Sequence, residues 1–253
     1  MSHGEPLRPG KELEKALRVI DYAMKFSSMP YWLSFGGLWG LVRNDGIVPD
    51  ADLDLCTYYG VDFRLAEKAL SNTPGRYVLK KALVDDRDPS KALYCAFSSE
   101  SGYPHLCLSF WYLHDGVRYY CHDQMREVTG IGSPASGFFF RGVPARCVDD
   151  RPENFRMSEW PGINQGIKIR VPRMHVGEML DYLYPDWAYQ KQRYEVRSGQ
   201  VDKSRMVSYH RGGARSPYSV HVKSMSEFNN KDGISAQLIE SAKNYENHVK
   251  SIK

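Results

Sequence analysis

No stretch of this chain approaches the roughly eighteen consecutive apolar residues of a membrane-crossing helix. The opening residues, MSHGEPLRPG, have no apolar core of the secretory type. Both observations give the expectation of a cytoplasmic protein without a membrane span. No Cys-x-x-Cys occurs among the five cysteines, Cys56, Cys95, Cys107, Cys121 and Cys147. An odd number without close pairs argues against a disulfide framework and for reduced thiols. His105, Cys107, Cys121 and His122 could meet on neighbouring strands around zinc; buried thiols are the plainer reading. Lys and Arg form no stripe long enough to track a duplex, which argues against duplex nucleic acid as a partner. The net charge of +4 still tolerates an anionic substrate such as a nucleotide. There is no internal repeat and no low-complexity tract, which excludes solenoids and fibres.

The 253 residues are enough to bury a sizeable core. Aromatics make up 13%, a share that a packed core or a stacking site explains. Glu12 to Ser27 has Leu13, Ala16, Leu17, Ile20, Ala23 and Met24 at helical spacing, so a helix is predicted there. YWLSF (31–35) reads as a strand, LWGLVRN as a short helix and LDLCTYY as a second strand. Val61 to Leu70 reads as a helix ending at the SNTPG turn cluster. Strands are predicted over 76–83, 92–99, 105–113 and 117–122, the last two joined at His114-Asp115-Gly116 as a hairpin. Loops are expected to dominate from Thr129 to Pro161, followed by a strand over 166–172 and a helix over 175–184. Residues 198–217 read as a basic loop, and Ile234 to Ile252 as a closing helix. The order gives an α+β fold with a mixed sheet.

One stretch stands apart: YWLSFGGLWGLVRNDGIVPDADLDL, from Tyr31 to Leu55. Gly36-Gly37 between a strand and a helix would let backbone N–H groups approach a phosphate where the helix dipole favours an anion. A tight structural turn uses the same pair. Asp50, Asp52 and Asp54 alternate along a strand, so their side chains share a face and repel one another. Either the three acids form a solvated acidic loop after Pro49, or a divalent cation sits between them with positions left for phosphate oxygens.

Gly36-Gly37 followed by Asp52-Leu53-Asp54-Leu55 fits the hG[GS]…[DE]h[DE]h signature of the nucleotidyltransferase superfamily. FGGLWGLVRNDGIVPDADLDL resembles more closely the LicD/fukutin branch, whose pattern is roughly G-[GST]-L-L-G-x-x-R-x-x-G-x-I-P-W-D-x-D-x-D. Gly36, Gly37, Leu38, Gly40, Arg43, Gly46, Pro49, Asp50, Asp52 and Asp54 fit it; the tryptophan after the proline is deleted. Residues 98–117 and 166–187 resemble later segments of the same family, in the same order. The resemblance spans about 31–187.

It implies a nucleotidyltransferase-like (polymerase-beta-like) mixed sheet flanked by helices, with a loop-rich C-terminal portion. Residues 1–195 would form the catalytic domain, and 196–253 a basic loop and helix packed on it. It further implies metal-dependent transfer of a phospho-substituted group, of the phosphocholine or polyol phosphate type, from a CDP-activated donor to a sugar hydroxyl of a carbohydrate acceptor. Asp52 and Asp54 would be catalytic and, with Asp50, would hold Mg2+ (or Mn2+). Gly36, Gly37, Arg43 and Lys168 would contact the donor phosphates. Tyr184, Pro185 and Trp187 would wall the site, and the loop from Lys203 to Arg215 would close over the diphosphate. The superfamily's third carboxylate falls by alignment at Ser109, a departure from the pattern. Two other readings fit the motif: a nucleotidyltransferase that adds a nucleoside monophosphate to a small molecule, and a catalytically degenerate member that binds nucleotide or glycan.

Overall fold

The computed structural model of the protein describes residues 10–43, 46, 52–121, 138–148, 155–158, 160, 162–163, 167, 169–172, 175–183, 217–218, 220–228 and 231–252. The chain opens with α1 (Lys11–Ser27), whose apolar stripe from Leu13 to Met24 is buried. The stripe packs on α3 (Phe63–Ser71), which Asp62 caps by accepting the Arg64 N–H. α1 ends where Ser28 turns into the left-handed region, at φ 52°. Its outer face carries the ion pairs Lys15–Glu12, Arg18–Glu14 and Lys25–Asp21.

After α1 come β1 (Trp32–Leu33), α2 (Phe35–Arg43) and β2 (Asp52–Tyr58). Beyond α3 lie β3 (Tyr77–Val84), β4 (Ala92–Ser99), β5 (His105–His114) and β6 (Val117–Cys121). Among the described residues these strands belong to one eight-stranded sheet, in the order β1-β2-β5-β6-β7-β10, with β4 paired to β5 and β3 to β4. β7 is Phe138–Pro144 and β10 is Val220–Val222. β2 and β5 run parallel; the other pairs in the sheet are antiparallel. The fold is α+β, a mixed sheet flanked by helices. β5 meets β4 over Leu106–Ser109 and then β6 over Tyr112–His114. The β5–β6 turn places Asp115 at φ 46° and Gly116 at φ 73°, the two positive angles a tight hairpin demands.

Two predicted features differ. The strand expected over 31–35 shrinks to Trp32–Leu33, because Phe35 already starts α2. The segment 129–161, expected to be loops, contains β7, a 3₁₀ turn over Ala145–Cys147, and β8 (Phe155–Ser158). β7 lies between β6 and β10, with Phe138 and Phe140 buried. β8 pairs antiparallel with β9 (Ile169–Pro172) in a separate two-stranded sheet. α4 (Val176–Leu183), α5 (Met225–Phe228) and α6 (Lys231–Ile252) complete the described elements.

Apolar side chains gather in two clusters. The larger joins α1, α3, β1, β2 and α4 around Trp32, Trp111 and Phe110. The smaller centres on Phe228 of α5, whose ring meets Tyr112, Tyr119 and Phe140 at 4.6–5.6 Å between centroids. The five cysteines are all buried and free.

Candidate functional site

β2 begins at the acids. Asp52 and Asp54 are half-buried, while Leu53 and Leu55, on the opposite face, are buried. Thr57, further along the strand, donates its hydroxyl to the Pro30 carbonyl at 2.6 Å. At its other edge β2 is bonded to the start of α2: the Ser34 N–H donates to the Asp54 carbonyl at 3.1 Å. The helix that carries Gly36 and Gly37 therefore begins directly beside the acidic strand.

The glycines lie inside the first turn of α2 rather than between strand and helix. Phe35, not a glycine, takes the left-handed angle at the junction, φ 48°. Its ring packs on Tyr120 and Trp111 at 4.6 and 6.2 Å, contacts that hold this conformation in place. Gly37 is needed for close approach: a Cβ there would stand 2.8 Å from Leu33 Cδ1 and 3.2 Å from its Cγ. The first N–H groups of any α-helix have no partner within it, and both glycines, though buried, sit in that first turn of α2.

The register of β2 against β5 decides which residue joins the acids. Asp54 is opposite Cys107 and Cys56 is opposite Ser109. The alignment that set Ser109 at the third-carboxylate position is therefore off by two residues in space: Cys107 stands beside the carboxylates, and Ser109, 4% exposed, lies one pleat further along the same face. The Cys107 thiol donates to Asp52 Oδ2 at 3.3 Å and accepts the Tyr94 hydroxyl of β4 at 2.9 Å. Burial pushes the Cys107 thiol well above its usual range, and the neighbouring charges of Asp52 and Asp54 push it further. Burial also raises Tyr94, with Cys107 and the two aspartates adding to the effect. Below this layer Cys56 is wholly buried, and desolvation raises its thiol.

One oxygen from each of Asp52 and Asp54 and the sulfur of Cys107 all lie within 4.8 Å of one another. Ligand bonds of about 2.0–2.6 Å to a common ion span such a gap. The donor set thus fits a divalent cation, two hard oxygens and one soft sulfur. This is the cluster of His, Cys, Asp and Glu with ligand geometry found among the described residues. The zinc set weighed from the sequence does not form around Cys107, whose neighbours are carboxylates; His122 lies outside the described residues.

Arg43 closes α2, and its side chain is outside the described residues, as are Asp50, Lys168, Tyr184, Pro185, Trp187 and the loop from Lys203 to Arg215. Gly46, which fits the family pattern, and Trp160, which sequence reasoning missed, support the segment before the acids. Gly46 adopts φ 83°, and its N–H bonds the Gly40 carbonyl at 2.9 Å. Its own carbonyl accepts Trp160 Nε1 at 2.8 Å. Nothing in the local sequence around Trp160 signals this contact, since the two residues are 114 positions apart.

Among the described residues no helix is long and apolar enough to cross a membrane. No curated protein matches the chain. The antibiotic-resistance factor ANT(2'')-Ia, whose structure was solved in solution, aligns at 13% identity over 95% of this chain and 95% of its own, with a TM-score of 0.35. The family profile described as LicD/FKTN/FKRP, nucleotidyltransferase domain, matches residues 28–129, the stretch that runs from the end of α1 through α2, the Asp52–Asp54 strand and β5. Over residues 28–129 the chain is similar to the nucleotidyltransferase domain of the LicD family.

Proposed function

We propose that this chain moves a phospho-substituted group, of the phosphocholine or polyol phosphate type, from a CDP-activated donor to a sugar hydroxyl of a glycan. The observation that carries the reading is the convergence of Asp52, Asp54 and Cys107 beside the first turn of α2, inside the region matched by the LicD family. Phosphoryl transfer depends on charge neutralisation and alignment more than on covalent help. Asp52 and Asp54 would hold a divalent cation, Mg2+ or Mn2+. When bound, such an ion neutralises diphosphate charge and orients its oxygens. The N–H groups of Gly36 and Gly37 would receive phosphate oxygens at the positive end of α2. One of the two carboxylates would accept the proton of the attacking hydroxyl. Arg43 and Lys168 would add positive charge against the donor.

Incubation with CDP-choline, CDP-glycerol, CDP-ribitol or nucleoside triphosphates, a panel of carbohydrate acceptors and a divalent salt tests the reading. Release of CMP together with a phospho-substituted sugar is expected. Release of pyrophosphate from a triphosphate would make the chain a nucleotidyltransferase. Donor binding without any released product would make it a binding protein.

A further inference from the structure

The Asp52 carboxylate meets a sulfur from β5, the Cys107 thiol, which the Tyr94 hydroxyl of β4 backs. We propose that Cys107 is a direct ligand of the cation in this site, and that the site therefore selects thiophilic divalent ions, such as Zn2+ and Cd2+, over Mg2+. The inference rests on the reading of Asp52 and Asp54 as cation ligands.

The geometry supports a ligand role over a bystander role. Cys107 sits across the parallel ladder from Asp54, and its sulfur is within bonding range of the same point as both carboxylates. It is 3% exposed, so bulk solvent does not occupy its place. Its rotamer is held from two sides, by Asp52 Oδ2 and by the Tyr94 hydroxyl. Coordination exchanges the S–H proton for the cation, and the Tyr94 O–H remains as a donor to the ligating sulfur. Mg2+ takes oxygen ligands in near-ideal octahedral geometry and gains little from sulfur. Thiolate ligands favour Zn2+ and other soft or borderline ions. A site with Asp at this position would offer three hard oxygens; this one offers two oxygens and a sulfur. Ser109 cannot substitute, because it lies opposite Cys56 rather than opposite the acids.

The test is equilibrium titration of the full chain with Mg2+, Mn2+, Zn2+ and Cd2+, with ultraviolet absorption recorded for the sulfur-to-cadmium charge-transfer band. Cys107→Ser keeps the size and the hydrogen bonds; Cys107→Asp restores a hard ligand. Thermal melts without metal establish that each variant is folded. The wild-type chain is expected to show the band at one equivalent of Cd2+ and to bind Zn2+ and Cd2+ more tightly than Mg2+. Cys107→Ser should lose the band and weaken Cd2+ by about 100-fold, with Mg2+ altered by less than about threefold. Cys107→Asp should reverse the preference; if it does not fold, Cys107→Ser carries the test alone. A band of equal strength in Cys107→Ser, or equal Cd2+ affinity in both, overturns the proposal. Cation binding that persists unchanged in Cys107→Ser but vanishes in Asp52→Asn removes the sulfur and leaves the carboxylate reading standing. Absence of any divalent binding to the wild-type chain removes both.

Discussion

The indole of Trp160 donates to the carbonyl of Gly46, 2.8 Å away, and so ties the segment leading into the Asp52–Asp54 strand to a distant part of the chain. Trp160 is buried, and Gly46 holds a left-handed angle that other residues adopt at a cost of about 1–2 kcal/mol. Trp160→Phe should retain the fold, with stability lowered by about 1 kcal/mol for the lost hydrogen bond. Turnover should fall by about tenfold through misplaced acids, a loss of about 1.4 kcal/mol in transition-state terms. Urea melts and steady-state rates at one temperature check this. A rate that follows only the folded fraction would remove the positioning role.

Asp52→Asn and Asp54→Asn should each leave the melting temperature unchanged or slightly raised in the absence of metal. Two half-buried like charges close together oppose folding, and each substitution relieves that repulsion. Turnover should drop by at least about a thousandfold, since the charge that holds the cation is removed. Near-normal turnover in either variant would refute the metal assignment.

Asp85 supplies a pH signature remote from the acids. Its side chain is fully buried at the end of β3, where Arg87 Nε and Nη2 donate to it at 3.0 and 2.7 Å and the Tyr59 hydroxyl also donates. Burial alone would raise the carboxyl; the bonds from Arg87, then those from Tyr59, outweigh it and hold the group at about 2. A carboxyl lowered in the folded state stabilises the protein above its unfolded value near 3.8, and that contribution is lost as pH falls toward 2. Denaturant melts between pH 5 and pH 2 should show this loss in the wild-type chain and a smaller one in Asp85→Asn. Arg87→Ala, which leaves a buried carboxylate unmatched, should cost about 3 kcal/mol at pH 7, the low end for a pair whose arginine keeps some exposure.

Gly142 in β7 has no room for a side chain. A Cβ there would lie 2.5 Å from Val117 Cγ1 and 3.0 Å from the Tyr119 ring. Gly142→Ala should destabilise by about 1–3 kcal/mol. Val117→Ala should recover part of that in the double variant, measured as a coupling energy from four urea melts. Additive effects would show that the crowding is relieved elsewhere.

The legible parts of this fold were those set by local pattern. The stripe from Leu13 to Met24 gave α1 nearly to the residue, and Asp115-Gly116 gave the hairpin, because each is decided by neighbours in sequence. The alternating acids of β2 were visible for the same reason. β7 was hidden: Phe138-Phe139-Phe140 does not alternate with polar residues, and the Gly- and Pro-rich segment around it reads as loops. The start of α2 was misplaced because Phe35, a residue with no local preference for a left-handed angle, takes one under tertiary packing. The partner of the acids was misassigned for a subtler reason. Cys107 and Ser109 share a face, so side-chain alternation cannot distinguish them; only the inter-strand register does, and register between distant parallel strands is written in no short motif.

That register also dictates when the site comes into being. Asp52 and Cys107 are 55 positions apart, and the β3–β4 hairpin is made from the chain between them. Hairpins close short loops within about 1–10 μs, whereas a parallel pair of this separation must first surrender the entropy of a long loop. The pocket between Asp52, Asp54 and Cys107 is thus absent from every fragment that ends before β5, and during synthesis it cannot trap an ion while the nascent chain is still short. A cation bound there grips two neighbouring parallel strands that are distant in sequence, so its binding energy adds to the stability of the assembled sheet rather than to any local segment.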